Sequence, residues 1–492
     1  MMVNFFRWVV VTLLVFSQAV IAIPDSHVPS DLIATSTPAD YLPGTIIIST
    51  SSQADLANIQ KDYPFLKQKT PGNSKTTLMQ TPDNTDIKKL SARLNGRPGV
   101  HAEPDYLATI HTDPLFPDQW ALQNVGQDGG TPGDDIDTQK AWTLNSGRGI
   151  VVAVIDTGID YTHPEFAGQL WVNPGEDLNG NGIADMYPAS QGGDLDGIDK
   201  DHNCATIPLL NNSKYCVDDL IGYDFVSNTI GCVDTDCSVP DGDVLDGMGH
   251  GTMASGIIGA RHNGEGIQGV CPNCKIMPIR ACFKTSNQYT DSAVCGTFSL
   301  AQSIYYATDM GADVISMSLG LTSDSTTLRG AIAYAESRGV VVVASAGNSN
   351  VQTPNYPSAY STVLAVASTD NRDMKAASSN FGTWIDVSAP GVHILTTTLD
   401  TLGGYAYFGG TSAAAPHVAG TAALVLSRNQ GLTPLQVRTI IKGSTENINA
   451  LNPSYAGLLG TGRLNAHKAL CLVSSCTSQM SLGKTRDKVM LA

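Results

Sequence analysis

Charge is scarce in this sequence and unevenly split. Charged residues make up 15% of the 492, under the usual quarter, and 29 Lys and Arg face 45 Asp and Glu for a net charge of −16. A surface that neutralises phosphates needs the opposite balance, so nucleic acid is excluded as a partner. Aromatic residues are few, at 7%. The 48 Gly and 25 Pro follow no triplet period, which excludes a collagen-like chain. Cysteine is absent before position 204, no later segment is apolar enough to span a bilayer, and the HExxH signature of zinc proteases does not occur. What is present is 42% apolar residues, enough for a packed core. The length suits about three average domains, or one large α/β domain with appendages.

Arg7, the apolar stretch WVVVTLLVF (8–16) and the ending Val20-Ile21-Ala22 read as an export signal over residues 1–22. An uncleaved anchor running on to Ile23 is the alternative, but the stretch falls short of the roughly 20 residues a span needs. The protein is therefore expected to be secreted, extracellular or periplasmic, and free of the membrane after signal removal. Ten cysteines, an even number in an exported chain, read as disulfides. Nearest-neighbour pairing gives Cys204–Cys216, Cys232–Cys237, Cys271–Cys274, Cys282–Cys295 and Cys471–Cys476, although sequence alone does not fix connectivity. Cys271 and Cys274 form a CxxC, yet no His pair follows at zinc spacing, which favours a bridge.

Residues 41–111 form a cysteine-free block with strand patterns at 44–50, 74–80 and 100–110 and helical spacing at 54–63 and 85–96. This is a small α+β module, too short to be stable alone without help. From 147 onward continuous apolar runs, IVVAVI (150–155), VISMSL (314–319), VVVVASA (340–346) and VLAVAS (363–368), alternate with helical segments at 251–260, 298–311, 326–338, 412–428 and 433–444. Strands apolar on both faces predict a parallel sheet covered by helices, with sites at the carboxyl ends of its strands. An insertion at 176–246 holds fifteen acidic residues and two lysines, thirteen of the sixteen net negative charges. Its Gly, Asn and Asp content argues against a core element.

Three residues carry the chemistry. Asp156 ends the first long apolar run, His250 sits among small residues in GHGTMASG, and Ser412 opens a helix after Gly409 and Gly410. Taken singly, each has a plainer reading: a turn Asp, a structural His, a helix N-cap Ser. Together they are the parts of an activated alcohol, since Ser needs a base and His needs an oriented, charge-stabilised ring.

VVAVIDTGIDYTHPEF, HGTMASGIIGA and GTSAAAPHVAG resemble the three active-site motifs of subtilisin-like serine proteases, in that family's order of Asp, His, Ser. SMSLG (316–320), ASAGNSN (344–350), GVCPNCKIMPIRAC (269–282) and GTGRLNAHKAL (460–470) match as well, and the resemblance covers about residues 42–470. It implies a three-layer subtilisin-like α/β fold with a mainly parallel twisted sheet at 112–476, preceded by an inhibitor-like propeptide at 23–111 and followed by a short tail at 477–492. It also implies a secreted serine endopeptidase, made as a self-processed zymogen cut near His111. Ser412 would be the nucleophile, His250 the base, Asp156 its orienter and Asn348 the oxyanion-hole amide. Ser318, Leu319 and Gly320 would pair with substrate backbone, and Ala344, Ser345, Ala346 and Gly347 would line the primary specificity pocket. Expected partners are protein or peptide substrates and the chain's own propeptide as inhibitor, with the mature enzyme a monomer. Ala413 and Met253 depart from the family's usual Met and His, and His163 and His417 read as packing residues. A non-catalytic binding protein on the same scaffold is the rival reading.

Asp177, Asn179, Asn181, Ile183 and Asp185 place oxygen ligands at alternate positions around a Gly turn, as in the first nine positions of a calcium loop. Pro188 stands where the bidentate Glu belongs, and Asp194 or Asp196 is the candidate substitute. Calcium is the expected, structural cofactor; a solvated acidic turn is the alternative.

Overall fold

The computed structural model describes residues 29–32, 41–50, 52–69, 76–82, 84–106, 113–198, 200, 218–226, 232, 237, 239–287 and 290–474. The export signal, the expected cut near His111, Cys204, Cys216, Cys476 and the tail lie outside them. The chain divides into two compact units between Ile110 and His111.

The first unit contains β1 (Tyr41–Thr50), α1 (Gln53–Asp62), β2 (Lys67–Gln68), β3 (Thr76–Gln80), α2 (Ile87–Asn95) and β4 (Val100–Tyr106), with an antiparallel sheet in the order β2-β3-β1-β4. Ile46 and Ile48 of β1 are buried while Ile47 between them is half-buried, the period of two that a one-faced sheet requires. Helix α2 starts where the Asp86 side chain accepts the Lys89 N–H, and Ile87, Leu90 and Leu94 form its buried stripe. These side chains share one core with Ile59, Phe65 and Met79. The two-residue strand β2 has no signature in the sequence.

The second unit begins with α3 (Thr138–Trp142), β5 (Val151–Asp156), β6 (Tyr223–Asp224), α4 (His250–Gly259), β7 (Lys275–Arg280), β8 (Cys282–Asn287), β9 (Thr290–Cys295) and α5 (Thr297–Asp309). It continues with β10 (Val314–Met317), α6 (Thr326–Ser337), β11 (Val341–Ser345), β12 (Val363–Thr369), β13 (Val387–Pro390), β14 (Ile394–Thr397), β15 (Tyr405–Phe408), α7 (Thr411–Arg428), α8 (Pro434–Gly443) and α9 (Ala466–Val473). Seven strands form one sheet in the order β13-β12-β11-β10-β5-β7-β6, every neighbouring pair parallel.

Alternation along the strands builds three layers. Val152, Val154, Val341 and Val343 share a core with residues of α4 and α7, whereas Ala153, Ile155, Val342 and Ala344 share another with α5 and α6. Each fully buried Val or Ile stabilises these layers by about 1.5–3 kcal/mol. Helix α7 is lined with Ala, and that small side chain lets its axis approach β10 to β13 closely. The strand order reverses at β5. From there the chain passes to β6 and β7 on one side and returns to β10 on the other, which opens a crevice beyond the carboxyl ends.

Disulfides join Cys232–Cys237, Cys271–Cys274 and Cys282–Cys295, the last closing the β8–β9 hairpin at its root. Cys471 is disulfide-bonded too. Among the described residues no helix is long and apolar enough to cross a membrane.

Candidate active site

Asp156 is the last residue of β5 and Ser318 follows the end of β10, the strand beside it, so both stand at the switch point. Asp156 is buried, and its Oδ1 accepts the Thr157 N–H at 2.8 Å and lies 2.7 Å from Nδ1 of His250. A carboxylate only accepts, so Nδ1 carries the proton and Nε2 of the neutral ring is left with its lone pair. His250 opens α4 after Gly249, whose φ of 95° makes the left-handed turn. The helix start and the strand end come close because Gly251 has no side chain. A Cβ there would stand 2.2 Å from the Gly158 carbonyl oxygen and 3.2 Å from Cβ of Asp156.

Burial pushes the His250 ring down, but the charge and hydrogen bond of Asp156, with Asp246 adding to them, outweigh it and hold the ring above its usual 6.5. With His250 as a base, which must be neutral to accept a proton, a raised value moves the onset of activity to higher pH. The acid limb of kcat/KM against pH is expected above 6.5, and a limb at or below 6.5 would contradict this balance of charges.

Ser412 is the second residue of α7 and largely buried. Its Oγ donates to the Ser318 carbonyl at 3.2 Å, and Ser318 Oγ donates back to the Ser412 carbonyl at 2.8 Å. The second bond exists because Pro416 has no N–H, which frees the Ser412 carbonyl from the usual bond to the residue four on. Asn348, on the loop after β11, accepts the Thr411 N–H at 2.8 Å and the Thr411 hydroxyl at 3.0 Å through Oδ1. A backbone N–H cannot accept, so the amide is locked with Nδ2 as its outward donor. Among the described residues Nδ2 has no partner. Gly410, with φ of 90°, passes so near that a Cβ would meet Asn348 Nδ2 at 2.9 Å.

A cleft of about 360 Å³ is lined by Asp156, Met248, His250, the segment 318–321 and the stapled root of the β8–β9 hairpin. Ser412 is not among the lining residues and is bonded to one of them, Ser318. Ala344, Ser345 and Ala346 are buried and do not line this cleft; only Gly347 is half-exposed. Two residues join the site without a signal in the sequence. Asn355 separates Gly320 from Gly347, since a Cβ on either would meet its Nδ2, at 1.9 Å and 3.1 Å. Phe408, the last residue of β15, sets its ring edge-on to His250 at 5.1 Å. His163 and His417 are both buried and tied to backbone carbonyls, of Gly404 and Ala413, and burial pushes His417 down to about 4.

In the acidic loop, Asn179 and Asn181 each donate through Nδ2 to Oδ2 of Asp185 at 2.9 Å, while Asp177 accepts the N–H groups of Gly180, Asn181 and Gly182. Ile183 is exposed, its N–H on Asn181 Oδ1. Asp194 is buried and spends both oxygens on the N–H groups of Leu178, Asn179 and Asp185, and Asp196 pairs with Lys200 at 2.8 Å. Among the described residues no three His, Cys, Asp or Glu side chains gather as a metal site. The loop's side-chain groups are two carboxylates and two amides, the oxygen donors a hard cation takes, with both amides here turned to donate to Asp185.

Residues 147–462 match the model of the Subtilase family. The chain belongs to this family. It is 32% identical over 447 residues to the thermophilic serine proteinase of Bacillus sp. (strain AK1), covering 87% of this chain and 88% of that one. It is 33% identical to thermitase of Thermoactinomyces vulgaris, over 68% of this chain and 93% of thermitase. A solved protease of Pseudoalteromonas arctica PAMC 21717 superposes with a TM-score of 0.54 at 29% identity, over 74% of this chain and 100% of that one. This subtilase is a subtilisin-like serine endopeptidase, and its substrates are proteins or peptides.

Proposed function

We propose that this subtilase is exported, is made as an inactive precursor, and cleaves peptide bonds through an acyl-enzyme formed on Ser412. The observation that carries the reading is the 2.7 Å contact between Asp156 and His250 at the sheet's switch point, beside the Ser318 carbonyl that holds the Ser412 hydroxyl. On binding substrate the hydroxyl turns from Ser318 to Nε2 of His250, which takes its proton as Oγ attacks the peptide carbonyl carbon. The oxyanion takes hydrogen bonds from Asn348 Nδ2 and the Ser412 N–H in the first turn of α7. Collapse expels the amine, which leaves with the proton from Nε2. Water then repeats the sequence in reverse roles and frees the acid. Asp156 keeps the ring in its tautomer and stabilises the imidazolium throughout.

Segment 318–320 would pair with the substrate as an added strand, and 344–347 would stand behind the primary pocket, with Asn355 between them. Residues 23–111, which include the strands and helices of the first unit, would be the propeptide and the inhibitor of the mature, monomeric enzyme. A fluorophosphonate probe tests the core of this reading. The labelled peptide is expected to contain Ser412, and His250→Ala to prevent labelling. A wild-type protein that stays unlabelled after removal of residues 23–111 would be a binding protein on a protease scaffold.

The 177–185 loop would hold calcium as a structural ion through Asp177, Asn179, Asn181, Asp185 and the Ile183 carbonyl. Bound at a hundredfold excess over its dissociation constant, the ion adds about 2.7 kcal/mol to stability. Chelation is expected to lower the thermal midpoint, and Asp185→Asn to remove that response. A midpoint that does not move after verified metal removal rules the ion out of this role.

A further inference from the structure

We infer that Asp246 is a positioning residue for His250: a buried carboxylate that fixes the turn carrying the imidazole and ties it to the segment that follows Asp156. This rests on the reading of His250 as the base. Asp246 lies four residues ahead of it, in DGMGHG, and is 4% exposed. Its Oδ1 accepts the N–H groups of Met248 at 2.9 Å and Gly249 at 2.8 Å. Its Oδ2 accepts the N–H of Thr252 at 3.0 Å and the Thr252 hydroxyl at 2.7 Å. Four donors on one carboxylate thus grip the chain on both sides of the catalytic ring.

Local structure explains the need. The N-cap position of α4 is Gly249, which has no side chain to satisfy the first N–H groups of the helix. The cap comes instead from three residues upstream. Thr252 extends the link, since its Oγ1 also accepts the Asp160 N–H at 2.9 Å. Asp160 stands four residues after Asp156, so one segment anchors the ring twice, directly through Asp156 and through the backbone by way of Thr252 and Asp246. An amide could not replace the carboxylate here. Both oxygens accept, and Asn offers one acceptor and one donor group.

The charge has its own effect on the ring. The anions facing His250 are Asp156, from the end of β5, and Asp246, from its own loop; β15 brings only the uncharged Phe408. Asp160 bonds to Thr252, Thr162 and Asp400, and Asp243 to Leu245 and Tyr161. Both facing carboxylates favour the imidazolium that forms in each proton transfer.

The test compares the purified mature enzyme with Asp246→Asn, active sites titrated with a fluorophosphonate. Expected are a kcat per titrated site lower by about 10²-fold, as for a small misplacement of a reacting group, a KM little changed, and an acid limb displaced to lower pH. A purely structural role would reduce the number of active sites and leave the limb where it was, and that result overturns the inference. His250→Ala separates the two readings, because if it keeps its activity the base assignment fails whatever Asp246 does. Should Asp246→Asn not fold, Thr252 decides. Thr252→Ser keeps the hydroxyl and is expected to match the parent, while Thr252→Val is expected to lose about tenfold in kcat. Equal kcat for these two variants overturns the inference as well.

Discussion

Replacing Ser412 by Ala is expected to lower kcat about 10⁶-fold, the scale known for subtilisin when its nucleophile or base is removed. The loss is chemical. The Ser412 side chain is nearly buried and its hydroxyl makes one bond, to the Ser318 carbonyl at 3.2 Å, so removing one oxygen leaves no cavity and one carbonyl short of a donor. That costs the fold about 1 kcal/mol. A folded variant without activity is the expected pair of results, with the fold checked by its thermal midpoint. The same variant reports on maturation, because a chain that cuts itself cannot do so without its nucleophile. The purified precursor is expected to stay full length. Normal shortening of the purified variant would refute self-processing and leave the hydrolytic assignment untouched.

Asn348→Ala is expected to cost about 10²–10³ in kcat, or about 3–4 kcal/mol, with KM close to that of the parent, a size measured for the oxyanion amide of subtilisin. Alanine also removes the acceptor for the Thr411 N–H and hydroxyl, at 2.8 Å and 3.0 Å, so part of the loss could come from a shifted start of α7. Asn348→Asp separates the two effects. It keeps an oxygen for Thr411, loses the outward amide, and adds a negative charge where the oxyanion forms. If the amide acts by donating, Asp is expected to be at least as poor as Ala. If it acts only by anchoring Thr411, Asp would restore most of the rate. Steady-state kinetics on the three proteins decides it.

Much of the fold can be read from the chain because its strands are buried on both faces. The runs expected at 150–155, 340–346 and 363–368 are Val151–Asp156, Val341–Ser345 and Val363–Thr369, each within a residue at either end. Strand β7 escapes the same reading. KIMPIR ends in Arg280, which looks solvent-facing yet is buried against Asp224 of β6, and the ion pair cannot be seen before the strands are neighbours. The β8–β9 hairpin is apolar only at its root, where Phe283 is buried, and its place is set by the 282–295 disulfide and its own register. In the site, the residues proposed to do the chemistry stand in recognisable surroundings, whereas those that hold them do not. Asp246 reads as one acid among fifteen, and Asn355 as a loop residue, until tertiary contacts give each a neighbour. Asp194 has the spacing of an ion ligand, and only the fold shows that its oxygens also accept the N–H groups of Leu178, Asn179 and Asp185.

Asp156 and His250 are separated by 94 positions, and so are Ser318 and Ser412, with β10 lying between β5 and β11 to bring the two pairs together. A nascent polypeptide still threading from a ribosome therefore has no hydrolytic power. The cell making it is protected by connectivity alone until the last third of the chain has emerged and zipped into place. Closures across such long loops are slow to reach, so this harmless interval is long.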